Sequence, residues 1–373
     1  MLKNHARSLG LGLALLALPA GLYVSGAIAA ERAPGSWAPT ASVVLPDKLA
    51  PDPAAFAVEI PSTGSATPWE PTIEVFEISD SLVAFFDGRD TSTDPKWLLK
   101  PGNWSAFDAG LGTIVFAVHD RGEALVLDSL WTRSQGEYIR KYLAEKHGVK
   151  RFTLVLSHWH LDHIGGNGAF ADSTIVSSRR TAEVLGGYAE HIRAGTLWGP
   201  PAMPDFTMPN LTFNDRMDIQ VGGITVKLSH FMVHSDDHIF VYLPDGKIGL
   251  VGDMTEDTVP VMSHPAQTPQ HIAELRRLRL VDMDVLYPNH GNPKVISGGG
   301  HDKRVIDAAI EYQRNMLLRA NDDDFLEQPL ESFVPVALRD GVVSVHDYYR
   351  VAHEFSRRNV HKFWNGQQIP NLD

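Results

Sequence analysis

The sequence predicts an α/β fold in which antiparallel strand pairs lead into a parallel crossover and a helical tail comes last. Two alternating apolar pairs, one strand, helix, strand unit and a late helical periodicity carry that expectation. Ile73 to Ile78 alternates and Leu82 to Phe86 comes next across a Ser-Asp-Ser turn, so the two read as an antiparallel pair. Thr113 to Val118 and Ala124 to Leu127 flank Asp120-Arg121-Gly122 in the same way. The period then changes. Gln135 to His147 carries Tyr138, Ile139 and Leu143 at helical spacing, stops at Gly148, and yields to the apolar run Phe152 to Leu156. That order makes a crossover with parallel strands. The residues just past Leu156 therefore stand at the carboxyl end of a strand, where open α/β sheets place their ligands.

With 43% hydrophobic and 21% charged residues over 373 positions, the chain has ample material for a core. Residues 1–29 differ from the rest. Lys3 and Arg7 lead into the nearly uncharged run Leu9 to Val24, and Ala27-Ile28-Ala29-Ala30 precedes Glu31. This is the layout of a secretory signal peptide, and it predicts a periplasmic or secreted protein with no stable membrane association after cleavage. Cleavage moves the formal charge from −12 to −14, with 31 Lys and Arg against 45 Asp and Glu. So acidic a surface argues against nucleic acid or anionic membrane as a partner. With no cysteine, the chain has no disulfide framework and no thiol to lipidate. Residues 30–72, rich in Pro, Ala and Ser, read as an N-terminal arm; 73–300 read as the main domain and 301–373 as a helical extension.

Ser157-His158-Trp159-His160-Leu161-Asp162-His163 occupies the strand end. Side chains two apart in an extended segment point the same way, so His158 and His160 can hold one ion together. Asp162 and His163 diverge, as adjacent residues do, and are better placed for a second ion a few ångströms away. Gly165-Gly166 then lets the backbone turn closely.

The run His-Trp-His-Leu-Asp-His resembles the His-x-His-x-Asp-His signature of the metallo-β-lactamase fold hydrolases. That resemblance implies an αββα sandwich of two mixed sheets flanked by helices, and it makes demands downstream. A third histidine for the first metal is met by His234-Ser235, ahead of Ile239 to Pro244. A Gly-Asp whose carboxylate bridges both metals, as in relatives of the glyoxalase II and lactonase kind, is met by Gly252-Asp253 after Lys247 to Val251. A last histidine in a Pro-x-His-Gly turn is met by Pro288-Asn289-His290-Gly291. The resemblance thus implies that His158, His160 and His234 hold one ion, Asp162, His163 and His290 the other, and Asp253 bridges them. Asp128 matches a family position that supports the ligand loop.

Neutral imidazoles and carboxylates suit two zinc ions, with iron or manganese also open. Two such ions can hold a bridging water as hydroxide, which attacks an ester, lactone, thioester or related acyl bond. Asp162 is catalytic in this reading. So is His238, four residues past His234, which could face the cleft and handle a proton; the other reading of His230 and His238 is a solvated or supporting histidine. His264, His271, His301, His346, His353 and His361 show no ligand spacing and read as surface. A β-lactam hydrolase is one alternative, although Asp253 stands where those enzymes usually carry cysteine or serine. A mononuclear iron enzyme that uses oxygen is another, and a module that binds a ligand without turning it over is a third.

Two loops are expected to shape the cleft: Lys96 to Phe107, with Trp97 and Trp104, and Leu197 to Met208, with Trp198, Met203 and Phe206. They point to a small-molecule substrate that is partly apolar; the other reading has these aromatic residues packing long loops onto the sheet. In the extension, Val305, Ile306, Ala309, Ile310 and Leu317 form one apolar stripe. Ser344-Val345-His346-Asp347 has the form of a capping box opening a second helix through Tyr348, Tyr349 and Phe355. These helices are expected to cover the sheet or to make a homodimer contact.

Overall fold

The computed structural model describes residues 73–89 and 104–372, with side chains from Asp108 onward in the second segment. The expected signal peptide, the arm and residues 96–103 with Trp97 lie outside the described residues. Two sheets form the centre. The first has seven strands in the order β1-β2-β3-β4-β5-β6-β7: β1 Glu74–Ser79, β2 Leu82–Phe86, β3 Ile114–Asp120, β4 Glu123–Leu127, β5 Arg151–Val155, β6 Thr174–Ser178 and β7 Leu211–Phe213. It is antiparallel as far as β4 and parallel from β4 to β7. The second runs β12-β11-β10-β9-β8, with β8 Arg216–Val221, β9 Ile224–His230, β10 Ile239–Leu243, β11 Ile248–Gly252 and β12 Val285–Pro288. Only its β11–β12 pair is parallel.

Strand alternation divides the core in two. Leu82, Ala84 and Phe86 of β2 join Phe116, Val118, Leu228 and Val241 between the sheets. Val83 and Phe85 point the other way, onto Ile139, Leu143 and Leu185 of the covering helices. With both faces covered, all five residues of β2 are buried. The hairpin between β3 and β4 turns on Arg121 and Gly122, both at positive φ (49° and 79°), as a tight right-twisting hairpin requires. The crossover helix Arg133–His147 opens on a capping box between Thr132 and Gln135 and closes at Gly148 in the left-handed region (φ 68°). Helix Thr268–Arg279 links β11 to β12. Its Arg277 guanidinium sits 3.5 Å from the Phe231 ring centroid and donates to His230 O.

Helices Arg304–Leu318 and Asp347–Trp364 are the two long elements of the extension among the described residues. Val305, Ile306, Ala309 and Leu317 are buried, with Ile310 half-buried at the margin of their stripe. The capping box expected at Ser344 does not form. The last helix begins at Asp347, with the His346 side chain accepting from Tyr348 N–H, while Ser344 N–H goes to Asp257 Oδ1 at 2.7 Å. A buried carboxylate on another loop outcompetes the local cap. Among the described residues, no helix is long and apolar enough to cross a membrane.

Candidate metal centre and cleft

The sheets bring their ligand-bearing ends to one edge. β5 ends at Val155; His158 comes next in a bend, and His160 is extended (φ −66°, ψ 148°) and caps a single helical turn, Leu161–Ile164. Asp162 and His163 therefore lie in that turn, and both are buried. His234 precedes β10 at φ 67°, Asp253 follows β11, and His290 follows β12. Asp128, at the end of β4, also has a left-handed φ of 67°. Such backbone in non-glycine residues persists only where the surroundings enforce it, and it concentrates at working sites.

Two groups of donors result. His158, His160, His234 and Asp253 offer ligand atoms all within 4.8 Å of one another, as do Asp162, His163 and His290. Asp253 Oδ2 belongs to both neighbourhoods. It lies 3.5 Å from His158 Nε2 and His234 Nε2, 3.2 Å from His163 Nε2 and 3.3 Å from His290 Nε2. Asp162 Oδ2 is 3.1 Å from both His163 Nε2 and His290 Nε2 and accepts from Thr113 Oγ1 at 2.9 Å.

Surrounding groups fix which nitrogen each ring presents. His163 Nδ1 meets Asp128 Oδ2 at 2.9 Å and His290 Nδ1 meets Gly112 O at 2.7 Å, which leaves both Nε2 atoms facing the carboxylates. Ser157 Oγ donates to Asp128 at 2.6 Å and sits 2.9 Å from His158 Nδ1, turning His158 Nε2 inward. His158 Nε2, His163 Nε2, His234 Nδ1 and Asp253 Oδ1 are buried without a hydrogen-bond partner. Buried polar atoms left this way ask for a further partner, and nitrogen with carboxylate oxygen is the donor chemistry of a zinc-type site. The residues present fit a metal pair.

Charge divides the groups. Burial outweighs nearby carboxylates at His158, His160 and His234, lowering all three and His234 to about 4, so these imidazoles stay neutral. Burial also opposes charge on His163 and His290, but Asp162 and Asp253 overcome it and raise both. Conversely, burial works against ionisation of Asp162, yet His163 and His290 together hold it below the usual carboxylate range. The second group thus attracts positive charge.

His238 has a different place from the one expected. It is fully buried and stacked on His158 (centroids 4.8 Å apart, 18° between planes), with Nε2 accepting from Asp253 N–H at 3.0 Å and Nδ1 3.1 Å from Ile239 O. Burial lowers it to about 3. It cannot handle a proton in the cleft; it anchors the backbone of Asp253. None of the six histidines read as surface is exposed. His271, His301 and His353 are buried, His346 caps a helix, His361 stacks on Phe325, and His264 lines the cleft. Tertiary packing covers these rings in ways that linear spacing does not reveal.

The cleft over the ligands has a volume of about 330 Å³. Trp159, between the ligand histidines, packs against Trp198 with centroids 5.2 Å apart and makes an apolar wall with Leu111. Met203 and Phe206, expected there, belong instead to the core beneath the helices. The end of the other expected loop, residues 104–107, is helical, as part of helix Trp104–Leu111. Asp108 and Glu256 also line the cleft, and burial pushes Glu256 up to about 8. Helix Asp347–Trp364 closes one side with Phe355, Asn359 and Lys362. Of these, sequence reasoning placed only Trp198 at the cleft; Phe355 was read as part of the last helix, and among the rest Trp159 alone carried a signal, by its place inside the histidine motif.

Residues 108–290 match the model of the metallo-beta-lactamase superfamily. This segment belongs to that superfamily. Two relatives are a linear primary-alkylsulfatase of Pseudomonas sp. (strain ATCC 19151), 25% identical over 41% of this chain and 37% of that protein, and an atrochrysone carboxyl ACP thioesterase of Aspergillus fumigatus, 27% identical over 48% of this chain and 51% of that protein. The chain spans about half or less of the length of these relatives. Solved structures similar to it include superfamily members from Pontibacter korlensis (TM-score 0.49, 19% identity) and Erythrobacter litoralis (TM-score 0.46, 13% identity). Both alignments cover 65% of this chain, with 100% and 96% of the respective structures. The two mixed sheets flanked by helices are the superfamily fold.

Proposed function

We propose that the protein is an exported dinuclear zinc hydrolase acting on an ester, lactone, thioester or related acyl bond of a small, partly apolar substrate. The observation that carries this reading is Asp253 Oδ2, set 3.2 to 3.5 Å from four imidazole nitrogens drawn from both donor groups. A carboxylate so placed suits a bridge between two ions. Two relatives are hydrolases by name, which supports the reaction class. Export rests on the composition of residues 1–29.

His158, His160 and His234 would hold one zinc, Asp162, His163 and His290 the other, with Asp253 shared. The pair would supply an activated water and a counter-charge for the oxyanion that develops on the acyl group. The chain's own residues do the rest. Thr113 Oγ1 orients the Asp162 carboxylate, Asp128 orients the His163 ring, and Gly112 O orients His290. Trp159, Trp198 and Leu111 exclude water from one side of the cleft and receive the apolar part of the substrate.

Metal content by plasma mass spectrometry, paired with a panel of lactones, thioesters, β-lactams and phosphodiesters, tests the reading. About two zinc per chain with turnover of an acyl substrate is expected. A single iron with no hydrolysis would overturn it.

A further inference from the structure

We propose that Lys362, with Asn359 and Phe355 on the same face of the C-terminal helix, forms a subsite for an oxyanion at the far end of the substrate, making the preferred substrate an anionic amphiphile. Its fate at the metal centre rests on the hydrolase reading; its capture by this helix does not.

Phe355, Asn359 and Lys362 are spaced by four and three residues, so one face of helix Asp347–Trp364 carries all three. That face lines the same cavity as His160, Asp162, His234 and Asp253. The helix is held firmly there. Met262 N–H donates to Ser356 Oγ at 3.0 Å, Asn359 Nδ2 donates to Met262 O at 3.3 Å, and Trp364 Nε1 donates to Pro265 O at 2.8 Å. These bonds come from both ends of the segment that supplies Val261, Ser263 and His264 to the cleft.

The helix also has a direction relative to the centre. Its first turn lies deep, where Tyr348 packs so closely on Gly110 that a Cβ there would fall 2.0 Å from the ring. Tyr349 is fully buried on the next position of the same turn, and Glu256 lines the cavity together with Asp253 and His290. Phe355 is half-buried and Lys362 is exposed. The stripe thus runs outward from the centre, and its last seven residues span about 10 Å.

Carboxylates and imidazoles of the two donor groups share the lining with apolar Leu111, Trp159, Trp198, Val261 and Phe355, and the ammonium there, on Lys362, is exposed. Lys362 is the single lysine or arginine among the described residues lining the cavity, and it has no ion-pair partner among the described residues. A neutral substrate would leave this cation unused. A carboxylate or sulfate-type group at the end of an apolar body would meet it, with the Asn359 amide beside it.

The test uses the metal-loaded protein and two p-nitrophenyl esters of one straight-chain dicarboxylic acid, the first with a free distal carboxylate and the second with that group methylated. The acyl bond is the same in both. For the unmodified protein kcat/KM is expected to favour the anionic ester about tenfold, mainly through KM and less so at high salt. Lys362→Arg should keep the ratio, Lys362→Ala should bring it near unity, and Lys362→Glu should invert it. Calorimetry with decane-1-sulfonate gives a second readout that needs no turnover: its affinity should fall about tenfold in Lys362→Glu. Should neither ester be hydrolysed, the hydrolase reading fails while the sulfonate still decides the subsite. A ratio of unity in the unmodified protein, a preference that survives Lys362→Glu, or sulfonate binding indifferent to that substitution would overturn the proposal.

Discussion

Asp128 Oδ2 lies 2.9 Å from His163 Nδ1 at a point where neither side chain is exposed, and the same oxygen accepts from Ser157 Oγ at 2.6 Å and Asn289 Nδ2 at 2.6 Å. One carboxylate therefore orients three segments: the loop after β5, the short turn carrying His163, and the strand end carrying His290. In Asp128→Asn one oxygen becomes an amide N–H, which cannot accept from the ring. Affinity for the ion held by Asp162, His163 and His290 is expected to fall by about ten- to a hundredfold. Competition against a calibrated chelator measures this; unchanged affinity would show that His163 needs no such partner.

Asp162 and Asp253 should separate when replaced, because Asp162 serves one donor group and Asp253 stands between both. Asp162→Ala is expected to lower metal content from about two ions per chain to about one, with hydrolysis down by at least about a hundredfold. Asp253→Ala should weaken both sites. If Asp162→Ala kept activity within about threefold of the unmodified protein on every responsive ester or lactone, the two-ion mechanism would be untenable.

The grouping of these residues was legible because each stands near a strand end in a short local pattern, and strand ends are what periodicity reveals best. The first two strand pairs and the crossover helix were legible for the same reason, with Gly148 marking the helix end, while the Thr132–Gln135 capping box that opens the helix two residues earlier went unread. His238 was not legible. Its neighbour in space is Gly252 on the adjoining strand, and nothing in the linear spacing distinguishes a ring facing the cleft from a ring beneath it. The outer wall of the cleft was hidden too. Phe355 read only as part of the last helix, and Asn359 and Lys362 carried no signal; their place on the cleft follows from the helix docking on the loop around Met262, a contact set by tertiary packing alone.

Gly252 makes that hidden contact testable. Its φ is 54°, and a Cβ there would lie 2.3 Å from His238 Cε1 and 2.5 Å from Nε2. Gly252→Ala meets a backbone penalty and a clash with a ring that is itself hydrogen-bonded to Asp253 N–H. A loss of roughly 2–4 kcal/mol in denaturant-measured stability is expected. His238→Ala removes the clash, so the double variant should be less destabilised than the sum of the single changes. Strict additivity would mean that the ring moves aside at no cost.

His353 makes the extension sensitive to acid. Its Nδ1 lies 3.0 Å from the Tyr312 hydroxyl and its Nε2 3.1 Å from Gln328 O, an arrangement for a neutral ring that accepts at one nitrogen and donates at the other. Burial dominates and lowers His353 to about 4, against an ordinary value of 6.5. Between those values the unfolded chain binds a proton that the folded chain refuses, so the stability is present above pH 6.5 and drains away as pH falls toward 4. The two values bound the contribution of this one ring at about 3 kcal/mol. His353→Asn cannot titrate there. Its stability should start lower at pH 7, through the lost packing, but fall less steeply than that of the unmodified protein between pH 6.5 and 4.5 in urea titrations. Parallel pH profiles for the two proteins would place the acid sensitivity elsewhere, with His271, which burial lowers to about 3, as the next ring to replace.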